Sequence, residues 1–278
     1  MKSFSRLALA IFLAITSLAL RPGLAQTQSS GQTAEVQIYE KFRAWVTRQS
    51  PEARQSDLID QYRRVLAGEG TNASDIERQI RVITEQGQQL EIERWNRILT
   101  APAATFNTNP NAFLVEMTRG LPPGKALDVG MGQGRNALYL ARQGWAVTGF
   151  DPADRAVAVA QEQAKRLGVK LTTLVLRDDQ FDFGRQQWDL IVLSYVSLRD
   201  LVPRLYDSLK PGGLVVVEGF HRDATKTASI GGGVVFDTNE LLRLFERFRV
   251  VRYEDAEAAG DFGGMRITRV VRLCAQKP

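Results

Sequence analysis

The sequence predicts an α/β protein: a doubly wound, mostly parallel sheet with one reversed edge strand, preceded by a helical segment. Three observations carry that prediction. From about Ala103 short apolar runs alternate with stretches of helical spacing, the pattern that gives right-handed crossovers and a sheet covered on both faces. The first of those runs ends in a glycine-rich turn that opens a helix. The last two runs are joined by a loop too short and too glycine-rich for a crossover helix, so they should pair antiparallel.

The chain has 278 residues, 44% hydrophobic and 24% charged, the composition of an ordinary globular protein. Lys2 and Arg6 precede an apolar run from Leu7 to Leu20, followed by Arg21-Pro22-Gly23 and a small-residue site after Ala25. That order is the one found in secretory signals, and the run is short for a bilayer span, so residues 1–25 read as a signal peptide and the protein as exported, periplasmic or secreted; an uncleaved membrane anchor is the alternative. The formal charge of +5 includes three basic residues of this segment and no acidic ones, which leaves +2 on the mature chain. The lone Cys274 excludes an intramolecular disulfide, and with the lone His221 it leaves too few soft ligands for a zinc site, so no metal is expected.

Residues 26–33 are Gln, Ser, Thr and Gly and read as a flexible linker. Residues 34–102 form a helical segment. Val36, Tyr39, Phe42 and Val46 recur at helical spacing, as do Leu58, Ile59, Tyr62, Val65 and Leu66. A third helix opens at Ser74 with Glu77 in capping-box spacing, carries Ile76, Ile80, Ile83 and Leu90 on one face, and continues through Trp95, Ile98 and Leu99 toward Pro102, with Gly87 as a potential interruption. This segment reads as a helical cap or a dimerisation hairpin, without an ionisable cluster.

Residues 103–278 hold the sheet. Strands are expected at Lys125 to Gly130, Ala146 to Asp151, Lys170 to Arg177, Trp188 to Val196 and Leu214 to Gly219, the last after the turn Lys210-Pro211-Gly212-Gly213. Helices are expected at Gly134 to Gln143, Asp154 to Leu167, Asp200 to Leu209 and Thr238 to Arg247. The closing hairpin runs from about Arg249 to Glu254 and from Arg266 to Cys274.

The most informative stretch is Ala126-Leu127-Asp128-Val129-Gly130-Met131-Gly132-Gln133-Gly134-Arg135-Asn136. A strand ends at a glycine turn and a helix begins, so unpaired backbone amides face the crevice, and glycine lets a ligand approach the main chain. Asp128 sets a carboxylate beside the turn, and Asp151 ends the second strand, where it can accept both hydroxyls of a ribose. Gly132, Gly134 and Ala137 also satisfy a dinucleotide fingerprint. Three features point elsewhere: an acid two residues before the first glycine suits a cationic amino group better than a pyrophosphate, a Lys-Pro-Gly-Gly turn precedes the fifth strand, and the sheet ends in a reversed hairpin.

On these residues the sequence resembles the class I S-adenosylmethionine-dependent methyltransferases, from about Asn109 to the C-terminus, with Asp128-x-Gly130-x-Gly132-x-Gly134 matching the family's first motif. Within the family it is most similar to the small-molecule methyltransferases of the tellurite-resistance type, which share the continuation Gly134-Arg135-Asn136 and the stretch Gly144-Trp145-Ala146-Val147-Thr148-Gly149-Phe150-Asp151. The resemblance implies a Rossmann-like seven-stranded sheet with S-adenosylmethionine as cofactor. Its methionine end would lie at the glycine turn, its ribose on Asp151 and its adenine near Asp178 or Asp179, with a methyl-acceptor pocket beyond Ser194 and Tyr195. Met131 stands where many members have a small residue or cysteine.

Arg135, at a helix N-terminus where a cation is unfavourable, hints at an anionic partner such as the cofactor carboxylate, and Asn136 is either a cofactor contact or a cap. If the acceptor is a neutral hydroxyl or amine, Tyr195, His221 or Glu218 would supply the base; a soft anion or thiolate needs none. The loop from Arg222 to Val235, with Gly231-Gly232-Gly233, is placed to act as a lid. The leading expectation is therefore a methyltransferase acting on a small molecule by positioning. Two alternatives stay open at this point: an exported cofactor-binding protein without catalysis, and an NAD-dependent oxidoreductase. Nucleic-acid modification is disfavoured, because the fourth strand ends in Leu193-Ser194-Tyr195-Val196 rather than a base-methylating motif and no basic tract carries interleaved aromatics.

Overall fold

The computed structural model describes residues 33–49, 57–226, 230, 232–262 and 264–278. The expected signal segment and most of the linker lie outside the described residues, as do residues 227–229 and Gly231 of the expected lid. Among the described residues no helix is long and apolar enough to cross a membrane.

The sheet is built from β1 (Lys125–Val129), β2 (Ala146–Asp151), β3 (Leu171–Val175), β4 (Trp188–Ser194), β5 (Leu209–His221), β6 (Val235–Phe236), β7 (Arg249–Ala259) and β8 (Ile267–Gln276). Its order is β3-β2-β1-β4-β5-β8-β7, with the two-residue β6 pairing beside the end of β5. The seven main strands are those expected, and β6 is an addition that a two-residue apolar pair does not announce. β1 to β5 run parallel, while β8 lies antiparallel to both β5 and β7.

Two-residue periodicity sorts the strand side chains into two cores. Leu127, Val129, Ile191, Leu193, Val215 and Val217 pack on one face; Ala126, Leu190, Val192, Val216 and Cys274 pack on the other. Covering both faces explains why these strands read as continuous apolar runs. Each fully buried Leu, Ile or Val among them stabilises the fold by about 1.5–3 kcal/mol relative to exposure.

Several boundaries differ from the pattern-based expectation, each for a local reason. Lys210-Pro211-Gly212-Gly213 does not precede β5 but lies within it as an irregularity: Trp188 pairs with Leu209, and Leu190 with Leu214. Asn239 adopts a left-handed conformation and starts the next helix late, so Glu240–Leu244 replaces the longer expected helix. The helix expected from Asp200 to Leu209 spans Val202–Ser208, with proline in its first turn. A further helix, Ala112–Thr118, begins where the Asn111 side chain accepts from Leu114 N.

The helical segment forms Ala34–Thr47, Leu58–Gly68 and Ala73–Leu99. Their apolar faces bury one another, with Phe42, Tyr62, Leu66 and Ile83 at the centre, so the stripe read as a dimerisation hairpin is satisfied within the chain. The Ser74/Glu77 capping box does not form. Asn72 caps the third helix by accepting from Asp75 N, Ser74 donates to Asn72, and Glu77 pairs with Arg63. Gly87 does not interrupt this helix; it lets Tyr39 approach, since a Cβ there would stand 3.1 Å from the ring. The segment also holds the ionisable cluster that its sequence did not reveal: Glu91 and Arg94 are buried 3.5 Å apart, with Glu40 3.7 Å from Arg94.

Candidate active site

β1 and its turn place the site. Gly130, Gly132 and Gly134 take φ values of +65°, +54° and +77°, so the chain turns in alternate left-handed steps that side chains resist. Gly134 N donates to Met131 O at 2.8 Å, and the helix Arg135–Arg142 then begins. Met131, the unusual residue of the motif, is buried over β2, where Gly149 leaves room for its side chain.

Two carboxylates flank the turn. Asp151 braces it: Oδ2 accepts from Gly132 N at 2.9 Å and Oδ1 from Ala153 N at 2.8 Å. Burial raises its pKa to about 6, although both amides pull the other way. Asp128 is 2% exposed, and its Oδ2 has no hydrogen-bond partner. Burial is the main cause of its rise to about 7, opposed by Arg135 and reinforced by Asp151. An acid so buried with a vacant acceptor atom is an electrostatic demand for a cation.

These residues line a cleft of about 770 Å³ of empty space, open solvent included, together with Arg135, Asn136, Ser194, Tyr195 and Val196. The expected site residues Asp128, Gly130, Gly132, Arg135, Asn136, Asp151, Ser194 and Tyr195 are thus brought together, with Gly134 directly behind them starting the helix. Asn136 donates to Ser194 Oγ at 3.1 Å and accepts from Asn111 N at 2.9 Å, tying the helix to β4.

Other expected residues stand elsewhere or are already engaged. Arg135, anticipated as a carboxylate ligand, donates to Asp261 Oδ2 at 2.7 Å and to Asn109 O at 3.1 Å. Asp178 and Asp179 do not line the cleft: Asp179 is exposed and paired with Arg177, while Asp178 Oδ1 accepts from Asp179 N. His221 is also outside the cleft, buried at the end of β5. Its Nδ1 accepts from Asp223 N at 3.1 Å, and its Nε2 lies 3.0 Å from Thr238 Oγ1.

Tyr195 does face the cleft, in a strained conformation with φ +60°. Its hydroxyl donates to Glu218 Oε1 at 2.6 Å and accepts from Asp261 N at 3.0 Å. Burial and the adjacent Glu218 hold its pKa well above the ordinary phenol value. Glu218 in turn accepts from Arg272 Nε at 2.6 Å. A phenol already donating to a carboxylate and resisting ionisation is a poor proton acceptor, so the geometry does not favour Tyr195 as a base.

The family model described as a methyltransferase domain matches residues 126–213, from β1 into β5. Residues 126–213 thus carry a methyltransferase domain. Among relatives, it is 26% identical over 186 residues to Hemagglutinin 1 of Eikenella corrodens, covering 62% of this chain and 60% of that protein. It is 26% identical over 158 residues to the probable S-adenosyl-L-methionine-dependent methyltransferase TehB of Haemophilus influenzae, covering 54% and 55%. The chain spans between about half and three fifths of the length of the first curated relatives it matches. By structure it resembles TehB from Haemophilus influenzae (TM-score 0.51, 22% identity, 60% of this chain and 62% of that one). It also resembles the N-methyltransferase NodS from Bradyrhizobium japonicum in complex with S-adenosyl-L-homocysteine (TM-score 0.52, 19% identity, 67% and 98%). At these identities the two structures speak for the fold alone.

Sequence reasoning missed the part of the cleft built from outside the methyltransferase core. Trp95 and Leu99 reach it from the last turns of the long N-terminal helix, Phe106 from the connector, and Phe262 from the β7–β8 loop. Gln133 donates to Leu99 O, and Asn96 accepts from Arg155 N at 2.9 Å, so the same helix caps the one that follows Asp151. The available signal was an aromatic within the glycine-rich stretch Gly260-Asp261-Phe262-Gly263-Gly264 and the apolar tail Trp95, Ile98, Leu99.

Proposed function

We propose that the whole protein is a methyltransferase that moves the methyl group of S-adenosylmethionine to a small-molecule acceptor in the cleft. The observation that carries this reading is the buried, unpartnered Oδ2 of Asp128 beside three left-handed glycines. In this reading Asp128 takes the ammonium of the cofactor's amino-acid end, the glycine backbone lies along it, and Asp151 uses its remaining acceptor capacity for the ribose. Pro152 and Leu99 offer the apolar surface beside Asp151 for the base.

When bound, the sulfonium supplies a methyl that is already activated. The chain's residues then have to hold, align and keep dry. The glycine turn and Asp151 fix one partner, the aromatic wall around Tyr195 and Phe262 excludes water, and no side chain has to remove a proton. Asp178, Asp179 and His221 have no part in this scheme. Export through residues 1–25 belongs to the same proposal, and mass spectrometry of the mature chain tests it through a new N-terminus at Gln26.

Thermal unfolding with different ligands tests the function. S-adenosylmethionine and S-adenosylhomocysteine should raise the melting temperature in a concentration-dependent way while NAD leaves it unchanged. Protection by NAD alone would return the glycine turn to dinucleotide binding.

A further inference from the structure

The chemistry of the acceptor can be read from the half of the cleft that lies toward β4. Along the sheet edge Asp151, the glycine turn and Tyr195 stand at the ends of adjacent strands β2, β1 and β4. The rings run from Tyr195 at the end of β4 back to Ala153 behind Asp151, where Trp95, Phe106 and Phe262 pack with Leu99. Phe262 meets Tyr195 at 5.3 Å between centroids, Phe106 at 5.5 Å and Trp95 at 6.2 Å, which makes a continuous aromatic wall from four separate segments. Trp95 Nε1 is buried and has no hydrogen-bond partner, so the wall holds one unmet donor.

Charge narrows the choice. The charged residues lining the cleft are Asp128, Asp151 and Arg135, and Arg135 already faces Asp261 at 2.7 Å. Among the described residues, an oxyanion or thiolate would find the one lining cation already paired. Proton chemistry narrows it again. Tyr195 is committed to Glu218, and His221 lies outside the cleft. Among the described residues, neither offers a base to a nucleophile that must first lose a proton.

Resting on the methyltransferase reading above, we propose that the acceptor is an uncharged aromatic nitrogen base bearing a second hydrogen-bond acceptor, seated on the wall of Trp95, Phe106, Tyr195 and Phe262 with Trp95 Nε1 donating to that second atom. The ring nitrogen's lone pair forms the new N–CH3 bond as the S–CH3 bond breaks. The bonding pair stays on sulfur, and the positive charge passes to the ring, where aromatic faces favour it. No proton leaves in the step. Trp95, from a helix outside the matched domain, is thereby a specificity-determining residue.

The experiment compares 3-acetylpyridine with 3-ethylpyridine, which lacks the carbonyl acceptor, and with tellurite and thiophenol, using wild type and Trp95→Phe. Calorimetric binding of S-adenosylhomocysteine is measured first in both proteins. The expected result is equal cofactor affinity, methyl transfer to 3-acetylpyridine with a KM about tenfold below that for 3-ethylpyridine, and loss of that difference in Trp95→Phe. Phe262→Leu should raise KM for both pyridines without changing cofactor affinity. Faster turnover of tellurite or thiophenol overturns the proposal, as does a cofactor-loaded protein that neither binds nor methylates the pyridines. Absence of cofactor binding overturns the methyltransferase reading instead.

Discussion

Arg135 and Asp261 meet at 2.7 Å with side chains 11% and 9% exposed, and their contact ties the first helix after the glycine turn to the loop between β7 and β8. Asp261 also accepts from the side chains of Asn107 and Asn111, each at 2.8 Å, and its backbone N–H donates to Tyr195. Removing the carboxylate leaves Arg135 buried and uncompensated. Asp261→Ala should therefore cost about 3–5 kcal/mol of stability. Urea denaturation measures this, and a loss below about 1 kcal/mol would show that the pair is not a structural tie.

Cofactor affinity should depend on pH through Asp128. Its carboxyl is pushed up to about 7 in the free protein, so below that pH it carries a proton and offers no charge to an ammonium. Affinity should rise from pH 5.5 to pH 8, by at most about tenfold per unit below pH 7. A profile flat over this range would remove Asp128 from the binding site.

The same raised values have an opposite effect on folding. Asp128 and Asp151 titrate at about 7 and about 6 when folded, above the ordinary 3.8 for the unfolded chain. Their contribution to stability is fully present below pH 3.8 and is lost as pH rises through 6 to 7. Asp128→Asn should raise the melting temperature of the ligand-free protein at pH 8, by about 2–4 °C per kcal/mol recovered, with little gain at pH 4. Equal changes at both pH values would argue against buried ionisation as the cause.

Gly134→Ala combines a left-handed φ of +77° with a new Cβ 3.0 Å from Ala160 Cβ. The expected cost is about 1–3 kcal/mol, together with weaker cofactor binding. Chemical denaturation and calorimetry on the same sample check both halves of this expectation.

His221→Gln should leave the transfer rate within about twofold of wild type, since the ring lies outside the cleft. It should lower stability by about 1 kcal/mol through its lost bonds at Asp223 N and Thr238. A loss of rate without loss of stability would restore His221 to the chemistry.

The sheet was legible because parallel strands buried on both faces need continuous apolar runs, and because three glycines between a strand and a helix admit few conformations. Asp128 and Asp151 were legible from their positions at strand ends. Trp95, Phe106 and Phe262 were not, since they come from segments far apart in sequence that meet only through the fold. Arg135 illustrates a different limit: its placement at a helix start pointed to an anion such as the cofactor carboxylate, whereas the anion it meets in this structure is Asp261, 126 positions along the chain. Asp178 and Asp179 were inferred from the resemblance to relatives; Asp179 pairs with Arg177 at the surface, and the half-buried Asp178 accepts from Asp179 N.

The proposed role of Asp128 and the glycine turn is to hold the amino-acid end of the cofactor. Isothermal titration at pH 8 with S-adenosylhomocysteine, on wild type and on Asp128→Asn shown to be folded by circular dichroism, tests it most directly. Micromolar binding to wild type and a loss of at least about thirtyfold in the variant are expected, the scale for removing one partner of a buried charge pair. Equal affinity in the two proteins, or no heat with wild type, would contradict it.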